Sequence, residues 1–113
     1  MSDSPIDLAV FAELKDATGD EFAAELVQTF LEEAVPMLAE LKQAVADTDA
    51  DGYRRAAHSI KSNANTFGAT ALAELAKKIE LGPLPDAADL SDPEALDAEF
   101  ERAAAVLRGL IDG

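Results

Sequence analysis

The stretch DTDADGYRRAAH, residues 47–58, suggests two kinds of chemistry at once. Its first half has the alternating carboxylates of a calcium loop, Asp47, Asp49 and Asp51, followed by Gly52 at the sixth place. Its twelfth residue is His58, the single histidine of the chain. A calcium loop needs a bidentate glutamate there, and an imidazole nitrogen is a poor donor for a hard, oxygen-seeking ion. Arg54 stands where an apolar residue belongs, and Arg55 adds a second positive charge inside the loop. Aspartates at a helix start account for the same residues: Asp49 as the N-cap and Asp51 at the positive end of the helix. The stretch is therefore read as a helix start that leads to a histidine.

On a helix over residues 50–67, at about 100° per residue, Tyr53, Ala56, Ala57, Ile60, Ala64 and Phe67 form one apolar stripe. His58 falls roughly 150° from the middle of that stripe. It is thus expected on the surface, with Arg54, Arg55, Ser62 and Asn65 around it and Lys61 on one flank. Five of the nine bases lie between residues 53 and 79: Arg54, Arg55, Lys61, Lys77 and Lys78. They face one acid there, Glu74, in a chain whose net charge is −14. An exposed imidazole on a positive island attracts an acidic partner and tolerates a phosphoryl group.

An imidazole has an ordinary pKa of about 6.5, so near neutral pH it keeps a nitrogen lone pair that can attack phosphorus. Lys61, at i+3, is placed to neutralise phosphate charge, and Ser62, at i+4, is small enough to let a partner approach. Nothing in the chain prepares ATP, since neither GxxxxGK[ST] nor GxGxxG occurs. A hydrolytic triad or metal site would need a second histidine or a cysteine, and there is none. The phosphoryl group must then come from one protein and leave to another.

Several helices must position this face. Ser4-Pro5 reads as an N-cap and N1 pair opening a short helix, about 5–17, which Gly19 breaks. Phe22, Leu26, Phe30, Ala34, Leu38, Leu41 and Val45 share one face of a long helix, about 20–46, with Pro36 expected to kink it. The helix of His58 follows over about 50–67 and stops at Gly68, read as a helix stop or a close-packing position. Leu72, Leu75 and Ile79 mark a fourth helix over about 70–81. LGPLPDAADLSDP, residues 81–93, is a loop. The last helix, about 93–111, is expected to be capped by Ser91 or Asp92 with Pro93 near N1. Four amphipathic helices and a short first one predict an all-α fold in a single domain: an antiparallel four-helix bundle with a short additional N-terminal helix.

Composition narrows the partners. So acidic a chain argues against nucleic acid and against an anionic membrane surface. The absence of cysteine suits a reducing compartment, and no signal peptide or membrane span is read, so a cytoplasmic location is expected.

The run AAHSIKSNANTFGATALAELAKKIE, residues 56–80, resembles the histidine phosphotransfer (HPt) domains of multistep phosphorelays in two-component systems. The family pattern is a histidine, an apolar residue at +2, lysine at +3, a small residue at +4 and glycine at +10. Here these are His58, Ile60, Lys61, Ser62 and Gly68, with Leu72, Leu75 and Glu80 following at similar spacing. The preceding residues 30–58 also resemble the family, including a proline within the long helix. The +4 residue, often glycine, is serine here. The resemblance implies a four-helix bundle and a monomer. It also implies that His58 is phosphorylated, usually at Nε2, by exchange with the aspartate of a receiver domain. The receivers would be those of response regulators or hybrid histidine kinases. No cofactor of its own is implied; Mg²⁺ is expected in the partner receiver, whose acidic pocket would face the positive island.

Arg54, Arg55, Ser62, Asn65, Lys77 and Lys78 are the candidate docking residues, although a solvated helix face explains the two lysines equally well. Asn65 is a candidate hydrogen-bond partner for the imidazole or simply a polar surface residue. A different class of function remains in view: a non-phosphorylated helical adaptor that binds and inhibits a receiver or histidine kinase. It would share the fold and the patch but have no need of His58.

Overall fold

Local capping accounts for several of the helix ends. The computed structural model describes residues 5–86 and 88–112. It contains α1 (Leu8–Thr18), α2 (Asp20–Ala46), α3 (Ala50–Thr66), α4 (Thr70–Leu81) and α5 (Ser91–Asp112). Among the described residues every regular element is an α-helix.

The expected start of α1 is corrected. Asp7, not Ser4-Pro5, caps the helix, its carboxylate accepting from the Ala9 N–H at 3.0 Å. Ser4 lies outside the described residues. Residues 5–7 are committed elsewhere: the Asp7 N–H donates to the Gly68 carbonyl at 2.6 Å, and Ile6 is buried in the core. This strap ties the entry of α1 to the turn between α3 and α4, so the first helical turn cannot form before residue 8. The helix ends at Gly19, with φ +89°.

Helix α2 runs for 27 residues and continues across Pro36, which lies on the exposed side. The carbonyl that loses its partner there can reach water, which lowers the cost of an interior proline. α3 begins at the supposed calcium loop. The Asp49 carboxylate accepts from the Gly52 N–H at 2.9 Å, and a Cβ at residue 52 would collide with Asp49 Oδ2. The glycine lets the capping carboxylate fold over the first turn, so Asp49 and Gly52 belong to one helix cap.

The other end of α3 closes with paired bonds from Ala69 N–H to Ala64 O (2.9 Å) and from Gly68 N–H to Asn65 O (3.2 Å). Gly68, at φ +76°, supplies the left-handed residue this closure needs. α5 also starts differently from expectation. Its first residue is Ser91 and Pro93 is the third; Asp89 Oδ1, two residues before the helix, accepts from the Ser91 N–H and hydroxyl.

Helices α2, α3, α4 and α5 each pack on two others in the cyclic order α2–α3–α4–α5, and α1 lies on α2 and α3. The turns before and after α3 are three residues each, which forces α2, α3 and α4 to run antiparallel. Inside, Phe30 of α2 stacks on Phe67 with centroids 5.0 Å apart and meets Phe100 of α5 edge-on at 5.9 Å. Val27, Leu41, Ile60, Leu72, Leu96 and Leu107 fill the rest, and the described residues bury no polar or charged side chain. The stripe predicted for α3, from Tyr53 to Phe67, is wholly buried. That fixes the rotation of α3 and turns its other face outward.

Candidate functional site

On that outward face His58 sits in the middle of α3 with its side chain 59% exposed. Its Nδ1 lies 2.9 Å from Glu80 Oε2, on α4. The other oxygen of the same carboxylate accepts from Lys61 Nζ at 2.6 Å. One carboxylate therefore holds two groups of α3 that stand three residues apart, and both contacts depend on α3 and α4 packing side by side.

The site's electrostatics follow from this sharing. The Lys61 ammonium, bonded to Oε1, is the main reason the Glu80 carboxyl lies below its ordinary value of 4.5. Partial burial opposes this, and the hydrogen bond and charge of His58 reinforce it. Glu80 is thus an anion near neutral pH and can only accept. Nδ1 must carry the proton it accepts, and a neutral imidazole protonated at Nδ1 keeps its lone pair on Nε2. Nε2 has no protein partner among the described residues.

The remaining predicted residues divide. Ser62 is exposed one turn after His58 and lies on the same face. Arg54, one turn before it, is exposed and 3.4 Å from Asp51. Arg55 lines a groove of about 360 Å³ between α2 and α3, with Met37, Glu40, Gln43, Asp47 and Ser59. Lys77 is exposed on α4, one turn before Glu80. Lys78 points to the other flank, its Nζ 3.6 Å from Asp92 at the start of α5, away from the imidazole. Asn65 is exposed, and the imidazole's hydrogen-bond partner is Glu80 instead. Gly68 lies at the strap under the α3–α4 turn.

Glu80 is the residue that helix-face reasoning missed as a site group. The basic window of residues 53–79 stops one position short of it; extended to residue 80, it holds five bases against two acids. The closing glutamate of the family-like run was the available signal, but its distance from His58 in the chain hid its role.

Among the described residues no three His, Asp or Glu side chains converge to hold a metal ion, and no helix is long and apolar enough to cross a membrane. The alternating aspartates are dispersed: Asp47 accepts from Gln43, Asp49 caps α3, and Asp51 faces Arg54.

Comparison with known proteins bears on the family and the fold. The Hpt domain family matches residues 25–106, which span all of α3 and α4 and most of α2 and α5. The sensor protein TorS of Escherichia coli is 30% identical over 83 residues; these make up 74% of this chain but only 9% of that protein's length. The crystal structure of histidine-containing phosphotransfer protein B (HptB) from Pseudomonas aeruginosa superimposes with a TM-score of 0.75 at 31% identity. That match covers 98% of this chain and 94% of the other. The chain belongs to the Hpt domain family, the phosphocarrier modules of two-component phosphorelays.

Proposed function

We propose that this protein carries a phosphoryl group on His58 between the aspartates of two receiver domains. The observation that supports this best is the carboxylate of Glu80 on Nδ1, 2.9 Å away, beside an otherwise exposed ring. It selects the tautomer whose Nε2 lone pair points to an incoming partner. The receivers would belong to response regulators or hybrid histidine kinases, and the same reading expects a cytoplasmic monomer without kinase activity.

In the proposed step, a phosphorylated receiver docks over the exposed face of α3 and the adjoining face of α4. Nε2 attacks phosphorus in line with the receiver's aspartyl oxygen. The N–P bond forms as the P–O bond breaks, and the electron pair leaves with the aspartate carboxylate. The Nδ1 proton stays on the ring, bonded to Glu80. Lys61, whose ammonium has three donors and uses one on Glu80, can turn another to the phosphoryl oxygens. Catalysis is then mostly positioning and charge neutralisation. A single carboxylate already bonded to a lysine is a poor seat for a divalent cation, so Mg²⁺ is assigned to the receiver, where it would shield the phosphoryl charge. Reversal of the step charges a second receiver. Arg54, Arg55, Ser62 and Lys77 are proposed as docking contacts; Lys78 is turned to α5 and is a weaker candidate.

The test is intact-mass measurement after mixing with a phosphorylated receiver and Mg²⁺, with His58→Gln alongside. Wild type should gain one acid-labile, base-stable phosphoryl group, and the folded variant none. Receiver binding that survives His58→Gln, with no transfer to wild type, would favour the inhibitory adaptor.

A further inference from the structure

Resting on that reading, we infer that the charge of Glu80 sets how the phosphoryl group partitions between His58 and the receiver carboxylate. It does so by holding the ring proton on the phosphorylated imidazole. The geometry is a direct contact, Oε2 to Nδ1 at 2.9 Å, from a carboxylate whose side chain is only 20% exposed.

Transfer to Nε2 changes what Glu80 faces. Before the step the ring is neutral; afterwards it still holds hydrogen on Nδ1 and carries the phosphoryl group on Nε2, so the imidazole bears a positive charge beside the negative charge of the phosphoryl oxygens. No proton is released, and the attacking lone pair becomes the N–P bond. A carboxylate on Nδ1 is bonded to a neutral donor before transfer and to a charged donor after it. An opposite charge at contact distance favours the charged form of its partner, so a carboxylate on Nδ1 favours the protonated, phosphorylated ring. The same proton governs departure. A ring protonated on Nδ1 leaves phosphorus as neutral imidazole, whereas a ring without that proton must leave as an imidazolate anion. Glu80 thereby raises occupancy of His58 while keeping the group ready to move on.

Other charged groups lie on the elements packed around α3. Asp51, Arg54, Arg55 and Lys61 are on α3 itself, Lys77 and Glu80 on α4, and Glu40 on α2 with Asp47 just after it, these last two lining a groove with Arg55. Among the described residues Glu80 is the one in contact with the ring. Lys61 offsets part of its charge but need not leave it to meet the phosphoryl group, because its remaining donors are available.

The experiment loads His58 with phosphoramidate, a small donor whose own N–P bond breaks with loss of ammonia, and so requires no receiver for this step. The ring-proton pKa of the phosphorylated imidazole is then read by nitrogen-15 NMR. Next, a receiver with Mg²⁺ is added, and the early distribution of phosphoryl group between the two proteins is measured. Glu80→Gln keeps an acceptor but removes the charge. It should shift the distribution toward the receiver about five- to tenfold. Without that charge beside the ring proton, the ring pKa should also fall. Glu80→Asp, which keeps the charge, should stay closer to wild type on both readings. A distribution and ring pKa unmoved by Glu80→Gln overturn the inference, as do two variants that behave alike. Wild type that accepts no phosphoryl group from phosphoramidate or any receiver removes the functional reading itself, and the inference with it. Uptake by wild type with no effect of Glu80→Gln removes the inference alone.

Discussion

Replacing Gly68 by alanine tests how the site's two helices are held together. The residue sits at φ +76°, a left-handed conformation that costs an L side chain about 1 kcal/mol. A Cβ there would lie 2.7 Å from the Asp7 carbonyl oxygen and 3.0 Å from Val10 Cβ. Both atoms belong to the strap and first turn of α1, so backbone must move. The bond from Asp7 N–H to Gly68 O, 2.6 Å long, lies in the same contact, and losing it costs about 1 kcal/mol. Lifting the strap also draws Ile6, 1% exposed, partly out of the core, at up to about 2 kcal/mol. The sum is a destabilisation of about 2–4 kcal/mol. Urea denaturation followed by circular dichroism measures it, with Gly109→Ala as the control. Gly109 lies inside α5 with nothing within 4 Å of an added Cβ. Alanine there should stabilise by about 0.5–1 kcal/mol. A loss below about 1 kcal/mol for Gly68→Ala would refute the close-approach argument, since the conformational cost alone would then cover it.

Lys61→Ala should slow phosphoryl transfer by on the order of ten- to a hundredfold, with the helical signal kept and the urea midpoint lowered only by what the Lys61–Glu80 pair contributes; an unchanged rate under single-turnover conditions would remove Lys61 from the step. His58→Gln should abolish uptake and leave the helical signal and thermal midpoint near wild type, because the side chain is outside the core; a globally unfolded variant would contradict the exposed-face geometry. Glu80 has a depressed folded pKa, so its ion pairs add stability above its ordinary value of 4.5, and this is lost as pH falls through the lower folded value. The midpoint difference between wild type and Glu80→Gln should therefore be present at neutral pH and shrink as pH falls below 4.5; a difference independent of pH would show that charge is not its source. Asp49→Ala should cost about 1 kcal/mol by removing the α3 cap, and calcium should leave the wild-type midpoint unmoved; a midpoint that rises with calcium would restore the loop reading.

Much of the site was legible before any coordinates, because a helix repeats at a fixed angle. Once Tyr53, Ala56, Ala57, Ile60, Ala64 and Phe67 define a buried stripe, the outward direction of His58 follows, and so does the place of Ser62 beside it. Local chemistry was legible too. The Asp49 cap with its accommodating Gly52 needs residues no more than three apart, and the α3 stop at Gly68 uses bonds that span five residues at most. Terminal boundaries were less legible where a distant contact competes. The strap residues Ile6 and Asp7 bond and pack against the α3–α4 turn, so Asp7 takes the cap that Ser4-Pro5 resembled.

What periodicity could not supply was Glu80. The angle of a residue on its own helix says nothing about which side chain of a neighbouring helix it meets; that depends on the register of α3 against α4, set by Ile60, Leu72, Ile79 and the Gly68 turn packing together. Counting charge along the chain placed Lys61 on a positive island, while the fold places a carboxylate 22 residues from His58 in the chain between the lysine and the imidazole. The sequence by itself thus determined the four-helix architecture, the exposed histidine and the lysine one turn on. The tertiary structure decided which ring nitrogen is held and which is left to react, because hydrogen-bond geometry between helices is a property of their packing and not of either helix alone.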